Sequence, residues 1–184
     1  MKHLKIIAIC FTLLVATGCG DKKGKSYEET PKREEPQHVN QTEKDADVPV
    51  ISFKMTDING STVDVKNEFK KHKITIIDFW ASWCGPCRQE MPTLVSLYSD
   101  YKERGLGIIG VSLDKDKDAW QTAVNELNMT WLQLSDLQGW DNHAAKMYGI
   151  QSIPFTIIVD SDGKLIKGAL RGEDLQAFIK DYFM

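Results

Sequence analysis

The pair of cysteines in FWASWCGPCRQEMP, residues 79–92, is the feature of the sequence best suited to chemistry. Cys84 and Cys87 could bind a metal, form a structural disulfide or take part in redox exchange. A structural zinc site takes four ligands, yet the other two cysteines lie in the first 19 residues and the histidines are scattered. A disulfide that closes so short a loop constrains the unfolded chain little. We therefore favour redox exchange, and we expect neither a metal nor another cofactor.

The position of Cys84 indicates which thiol reacts first. Pro86 is placed to begin a helix, and the unpaired N–H groups and dipole at a helix N-terminus favour a negative charge. Lowering a thiol pKa from about 8.5 to about 7 raises the thiolate fraction at neutral pH from a few per cent to roughly half. We expect the Cys84 thiolate to attack a substrate disulfide and Cys87 to resolve the mixed disulfide. Gly85 would leave Cys84 open to a large partner.

Asp78 interrupts the apolar run ITIIDFW just ahead of the cysteines. A carboxylate in a buried strand is costly to ionise, so its pKa should be raised towards neutrality. Asp78 could then accept the proton of Cys87. The alternative is a structural carboxylate at the end of the strand.

The pattern of the remaining chain predicts an α/β domain with a mixed sheet. KITIIDFW and LGIIGVSL are continuous apolar runs typical of central strands covered on both faces. Helical patterns follow each of them, and FTIIVD, SDG and KLIKGAL predict a hairpin before a closing helix. Near the start, Asn59-Gly60 predicts the turn of a further β-hairpin.

The sequence IIDFWASWCGPC, together with Pro92 and the later SIPFTIIVD, resembles the thioredoxin superfamily. The leading hairpin, RQEMP and the extra helix and strand ahead of Pro154 resemble its TlpA-like thiol-disulfide reductases. This resemblance covers residues 50–184 and implies a thioredoxin-like fold. It also implies that Pro154 is a cis-proline that offers backbone to a substrate, with Ile153 facing Cys84.

Further site residues follow from the same resemblance. Glu90 matches a glutamate near the cysteines of these reductases and would tune the thiols, although it could simply pair with Arg88 or a lysine. Trp83 would shape the rim of the site with Gly85 and Pro86. The stretch IIGVSL lacks the lysine that thioredoxin places near its aspartate, so Asp78 should be harder to ionise. We expect Trp120, Trp131 and Trp140 to be packing residues, with a recognition role open for Trp140.

The N-terminus predicts export. MKHLK precedes an apolar stretch too short to span a bilayer, as in a secretory leader. VATGC resembles the lipobox of bacterial lipoproteins, which implies lipidation of Cys19. We expect a signal peptide at 1–18, a lipidated, charged and disordered linker at 19–48, and a thioredoxin-like domain at 49–184. The alternatives are a buried N-terminal helix and a soluble secreted protein cut near the same place.

These features predict a lipid-anchored enzyme in a bacterial cell envelope, facing the periplasm or exterior, that reduces protein disulfides. The net charge of -3 without a basic stripe makes nucleic acid an unfavourable partner. The family resemblance implies a membrane thiol-electron carrier as donor and cytochrome c biogenesis as a setting, and we expect a monomer. A disulfide oxidase or isomerase and a redox-inactive binding lipoprotein are the alternatives. A peroxidase is disfavoured because its Pro-x-x-x-Thr/Ser-x-x-Cys motif is missing.

Overall fold

The computed structural model describes residues 48–184. Three predicted features lie outside the described residues: the signal peptide, the lipidation site at Cys19 and nearly all of the linker. The first described element is an antiparallel hairpin of β1 (Lys54–Thr56) and β2 (Thr62–Asp64). Gly60 adopts a φ of 90° in its turn, a conformation that glycine reaches without steric cost, so the predicted hairpin is confirmed.

Five strands form the main sheet: β3 (Ile74–Trp80), β4 (Leu106–Ser112), β5 (Leu132–Leu134), β6 (Phe155–Asp160) and β7 (Leu165–Gly168). Their spatial order is β5-β4-β3-β6-β7. Strands β3, β4 and β5 are parallel, whereas β6 and β7 join as antiparallel strands. Every residue of β3 and β4 is buried, as expected for central strands covered on both faces. The mixed sheet of the predicted α/β fold is confirmed.

Five α-helices accompany the strands: α1 (Val65–Phe69), α2 (Gly85–Tyr101), α3 (Lys117–Glu126), α4 (His143–Met147) and α5 (Gly172–Phe183). Short 3-10 turns occupy Lys102–Arg104 and Gly139–Asp141. Helices α2 and α5 pack together, with the rings of Tyr101 and Phe183 stacked at a centroid distance of 5.3 Å. No helix within residues 48–184 has the length and apolar character needed to cross a bilayer.

The sheet brings the candidate site together at one edge. Strands β3 and β4 run in register from Ile74 and Leu106 to Trp80 and Ser112, so their carboxyl ends lie side by side. The loop with the cysteines follows β3 directly. Helix α3, strand β5 and helix α4 form the predicted insertion between β4 and Pro154.

Candidate active site

Cys84 and Cys87 form a disulfide, with an S–S distance of 1.99 Å. Cys84 is the N-cap of α2, and its Sγ accepts a hydrogen bond from the backbone N–H of Cys87 at 3.2 Å. Cys84 is 5 % exposed and Cys87 1 %. Cys84 is therefore more enclosed than we expected, since its sulfur is bonded to Cys87 and the residue belongs to the buried core. Open space lies beside Gly85, where an added Cβ would meet no atom within 4 Å.

The loop before the cysteines is hydrogen-bonded to Asp114, two residues after the end of β4. This carboxylate is buried and accepts hydrogen bonds from the backbone N–H of Ser82 at 2.9 Å and from its hydroxyl at 2.6 Å. It also accepts a hydrogen bond from the hydroxyl of Ser112 at 2.7 Å. Bonds to a charged acceptor are stronger than neutral ones, so Asp114 holds the loop that carries Cys84.

Two tryptophans lie exposed beside the disulfide. Trp83 is 57 % exposed and Trp140 46 %, and their ring centroids are 6.3 Å apart. Both line a largely apolar cavity of about 500 Å³. The expectation that Trp140 is a packing residue is wrong, because the 3-10 turn that carries it leaves its ring half open to solvent. Trp120 and Trp131 are buried as expected.

Asp78 lies in the middle of the sheet and is buried. Its Oδ2 atom has no hydrogen-bond partner within residues 48–184. The pKa of Asp78 is raised from 3.8 to about 7, mainly by burial and also by the nearby charge of Glu90, while Arg171 acts in the opposite direction. The direction and cause of the shift agree with the expectation from the sequence.

Glu90 pairs with a residue that the sequence did not suggest. Its Oε1 lies 2.9 Å from Nε of Arg171, the residue just before α5. Arg88 instead pairs with Glu126 of α3 at 2.9 Å. The alternative of a Glu90–Arg88 pair is wrong, because residues two apart on a helix do not face each other.

The peptide bond between Ile153 and Pro154 is cis. The following residue, Phe155, begins β6 and is paired with Phe79 near the end of β3. Pro154 is buried and Ile153 partly exposed, and both lie at the edge of the sheet from which the cysteine loop departs. The expected contact between Ile153 and Cys84 stays a prediction.

Sequence reasoning missed three residues of the site. Asp114 had a usable signal, since a polar residue that follows a central parallel strand lies at the edge where sites form. Arg171 had none, because it is 81 residues from its partner. Gln133 of β5 is also buried, and its Oε1 accepts a hydrogen bond at 3.2 Å from Nε1 of Trp80, the last residue of β3. Within residues 48–184 no three potential ligands are grouped to hold a metal.

The chain combines a disulfide that caps a helix, a cis-proline at the same edge of the sheet and a buried aspartate in the strand before the cysteines. These features place it among the thioredoxin-like redox proteins. It belongs to the Redoxin family, which its sequence matches over residues 43–178. It is 31 % identical over 131 residues to the thiol-disulfide oxidoreductase ResA of Bacillus thuringiensis, covering 71 % of this chain and 72 % of that one. The ResA of Bacillus subtilis is 26 % identical over 71 % of this chain and 70 % of its own length.

Solved structures of similar fold agree with this assignment. A thiol-disulfide oxidoreductase from Bacteroides fragilis has a TM-score of 0.67 and 29 % identity, covering 72 % of this chain and 98 % of that one. The thioredoxin domain of a thiol-disulfide oxidoreductase from Bacteroides vulgatus has a TM-score of 0.66 and 31 % identity, covering 73 % and 95 %. The chain is accordingly a thiol-disulfide oxidoreductase of the thioredoxin superfamily.

Proposed function

We propose that this oxidoreductase is tethered to a membrane outside the cytoplasm and reduces disulfides of other proteins through Cys84 and Cys87. The observation that carries the proposal is the Cys84–Cys87 disulfide at the start of α2. There the backbone N–H of Cys87 already points at the Cys84 sulfur. The same N–H and the helix dipole would stabilise a thiolate at Cys84.

The exchange needs two steps. In the reduced enzyme, the Cys84 thiolate attacks one sulfur of the substrate disulfide, forms a mixed disulfide and releases the other substrate sulfur as a thiolate. The Cys87 thiolate then attacks the Cys84 sulfur, releases the second substrate thiolate and closes the Cys84–Cys87 disulfide. Two electrons pass from the enzyme dithiol to the substrate. A donor of the thiol class must restore the dithiol.

Asp78 is proposed as the acceptor of the Cys87 proton before the second step. A buried carboxyl group with a pKa of about 7 is close to half ionised at neutral pH, so it can both take and release a proton there. Glu90 and Arg171 adjust the fraction of Asp78 that is ionised, because Glu90 raises the pKa of Asp78 and Arg171 lowers it. Glu90 therefore acts on the thiols through Asp78 in this proposal.

The substrate is proposed to lie across the exposed surface around the disulfide. Trp83 supplies a half-exposed ring, and the absence of a side chain at Gly85 leaves room next to Cys84. Pro86 stiffens the first turn of α2. By the resemblance to TlpA-like reductases, Ile153 and Pro154 would offer their backbone to an extended substrate segment.

The location rests on the sequence of the N-terminal segment. We propose a signal peptide at 1–18, lipidation at Cys19, a linker at 19–48 and the catalytic domain at 49–184. The predicted linker is dominated by charge, and treated as a flexible coil it reaches roughly 30 Å, so the domain could work away from its anchor. A membrane thiol-electron carrier as donor and apocytochrome c as one acceptor follow from the family resemblance.

Trapping tests the exchange reaction. Cys87→Ser removes the resolving thiol, so mixed disulfides with substrate proteins should accumulate on Cys84 in cells of the native host. The matched control is Cys84→Ser/Cys87→Ser, which should accumulate none. A binding lipoprotein without redox turnover would give the same empty result in both variants. Separately, Cys19→Ala should shift the protein from the membrane to the soluble fraction if Cys19 carries the anchor.

A further inference from the structure

Gln133 and Asp78 share one face of the sheet although their strands do not touch. Gly110 of β4 is paired with Asp78 of β3 on one side and with Gln133 of β5 on the other. Paired residues of neighbouring strands project to the same face, and such strands lie about 4.8 Å apart. Only a residue without a side chain therefore separates Asp78 from Gln133.

The amide of Gln133 occupies the space over Gly110. A Cβ at Gly110 would collide with Gln133 Oε1 and would lie 2.8 Å from Gln133 Nε2. The Gln133 amide thus extends from β5 to a position over β4, which is the strand next to the one that carries Asp78. Gly110 is needed for this close approach, because any larger residue would exclude the amide.

The orientation of this amide is set by Trp80. The indole Nε1 donates to Gln133 Oε1 at 3.2 Å, and an indole N–H can only donate. The carbonyl end of the amide is therefore held by Trp80, which leaves Nε2 as a donor. Gln133 is buried, and its Nε2 has no hydrogen-bond partner within the described part of the chain.

Asp78 offers the matching acceptor. Its Oδ2 is also buried, and no donor within residues 48–184 reaches it. The charged groups that act on Asp78 are Glu90 from α2 and Arg171 before α5. On the other flank of β3, Thr156 of β6 is paired with Asp78, but its hydroxyl donates to the backbone carbonyl of Leu170 instead. An unused donor and an unused acceptor therefore flank Gly110.

We propose that Gln133 is a positioning residue for Asp78, and that its Nε2 donates a hydrogen bond across Gly110 to the ionised Asp78 carboxylate. A hydrogen bond to the charged form favours that form. Gln133 would therefore keep Asp78 ready to take the proton from the Cys87 thiol, which leaves Cys87 as a thiolate. The inference rests on the proposed role of Asp78, but its test requires no substrate turnover.

The test follows the titration of Asp78 in the oxidised full-length protein. Carbon-13 NMR of labelled aspartate carboxyl groups reports each midpoint pH, and the Asp78 signal is the one missing from Asp78→Asn. In Gln133→Leu, which removes the donor but keeps much of the volume, the ionisation constant of Asp78 should fall about tenfold. An unchanged midpoint would overturn the proposal.

Two further variants separate this role from a purely structural one. Trp80→Phe also breaks the indole–amide bond but keeps the Nε2 donor, so an upward shift equal to that in Gln133→Leu would overturn the proposal. Gln133→Met keeps the length of the side chain but carries no N–H donor, so it should shift the Asp78 midpoint upward by about as much as Gln133→Leu. A wild-type midpoint in Gln133→Met would overturn the proposal even if Gln133→Leu does not fold.

Discussion

Replacing Asp78 with asparagine should stabilise the protein at alkaline pH far more than at acidic pH. The pKa of Asp78 rises from 3.8 to about 7 on folding, chiefly through burial. At about 1.4 kcal/mol per pKa unit, the ionised side chain lowers the free energy of unfolding by about 4 kcal/mol. Because the folded state holds this proton more tightly, stability is lost as pH rises from about 4 to about 7 and then levels off.

The measurement is denaturant unfolding of the oxidised wild type and of Asp78→Asn at pH 5 and pH 9. The difference in unfolding free energy between the two proteins should change by about 2.5 kcal/mol in favour of Asp78→Asn between these pH values. An unpartnered amide in the variant would cost free energy, but it would cost the same at both pH values. Taking the difference between the two conditions removes that term and the titration of all other groups.

Thr75→Val is the matched control. Thr75 lies on the same strand, is buried and has an Oγ1 without a partner among the described residues, but it does not titrate. Its effect on stability should be the same at pH 5 and pH 9. If Asp78→Asn behaves like Thr75→Val, burial does not raise the pKa of Asp78 and its proposed role as a proton acceptor near neutral pH is wrong.

Three further predictions concern the neighbours of the disulfide. Asp114→Ala should lower the free energy of unfolding by about 3 kcal/mol or more, because it removes bonds to a charged acceptor and leaves the Ser82 N–H without its partner. Ser82→Ala should lower this free energy by less, and equal losses in chemical denaturation would contradict the proposed role of Asp114 in the loop. Arg171→Met should raise the pKa of Asp78 and Glu90→Gln should lower it; the same carboxyl titration by NMR checks both, and shifts in one common direction would refute the charge argument. Trp140→Ala should reduce kcat/KM for protein disulfides but not for a small aromatic disulfide such as an Ellman-type reagent, because Trp140 lies beside Trp83 and is not bonded to the sulfurs. An equal loss with both substrates would indicate damage to the Cys84–Cys87 disulfide of the enzyme.

The sequence predicts the central strands and the first hairpin of this fold because these elements carry a local signal, whereas the short helix α1 is not predicted. The apolar runs of β3 and β4 and the turn at Gly60 are set by neighbouring residues, and they appear where expected. The burial of Asp78 could be predicted for the same reason, since it stands inside such a run.

Contacts between distant segments could not be predicted in this way. The pairing of Glu90 with Arg171 depends on how α2 and α5 pack, which no local pattern encodes. The exposure of Trp140 depends on a 3-10 turn in the insertion, and an aromatic residue there has the same sequence signal as one in the core. The placement of Gln133 opposite Asp78 across Gly110 depends on the register of three strands.

The reduction potential of Cys84 and Cys87 tests most directly whether the two residues form a reducing dithiol. The protein is equilibrated with thiol buffers of known potential, and the free thiols are then alkylated and counted. The Gly-Pro pair between the cysteines predicts a potential near about -270 mV, as in thioredoxin. A value near about -120 mV would contradict the account and would indicate an enzyme that installs disulfides.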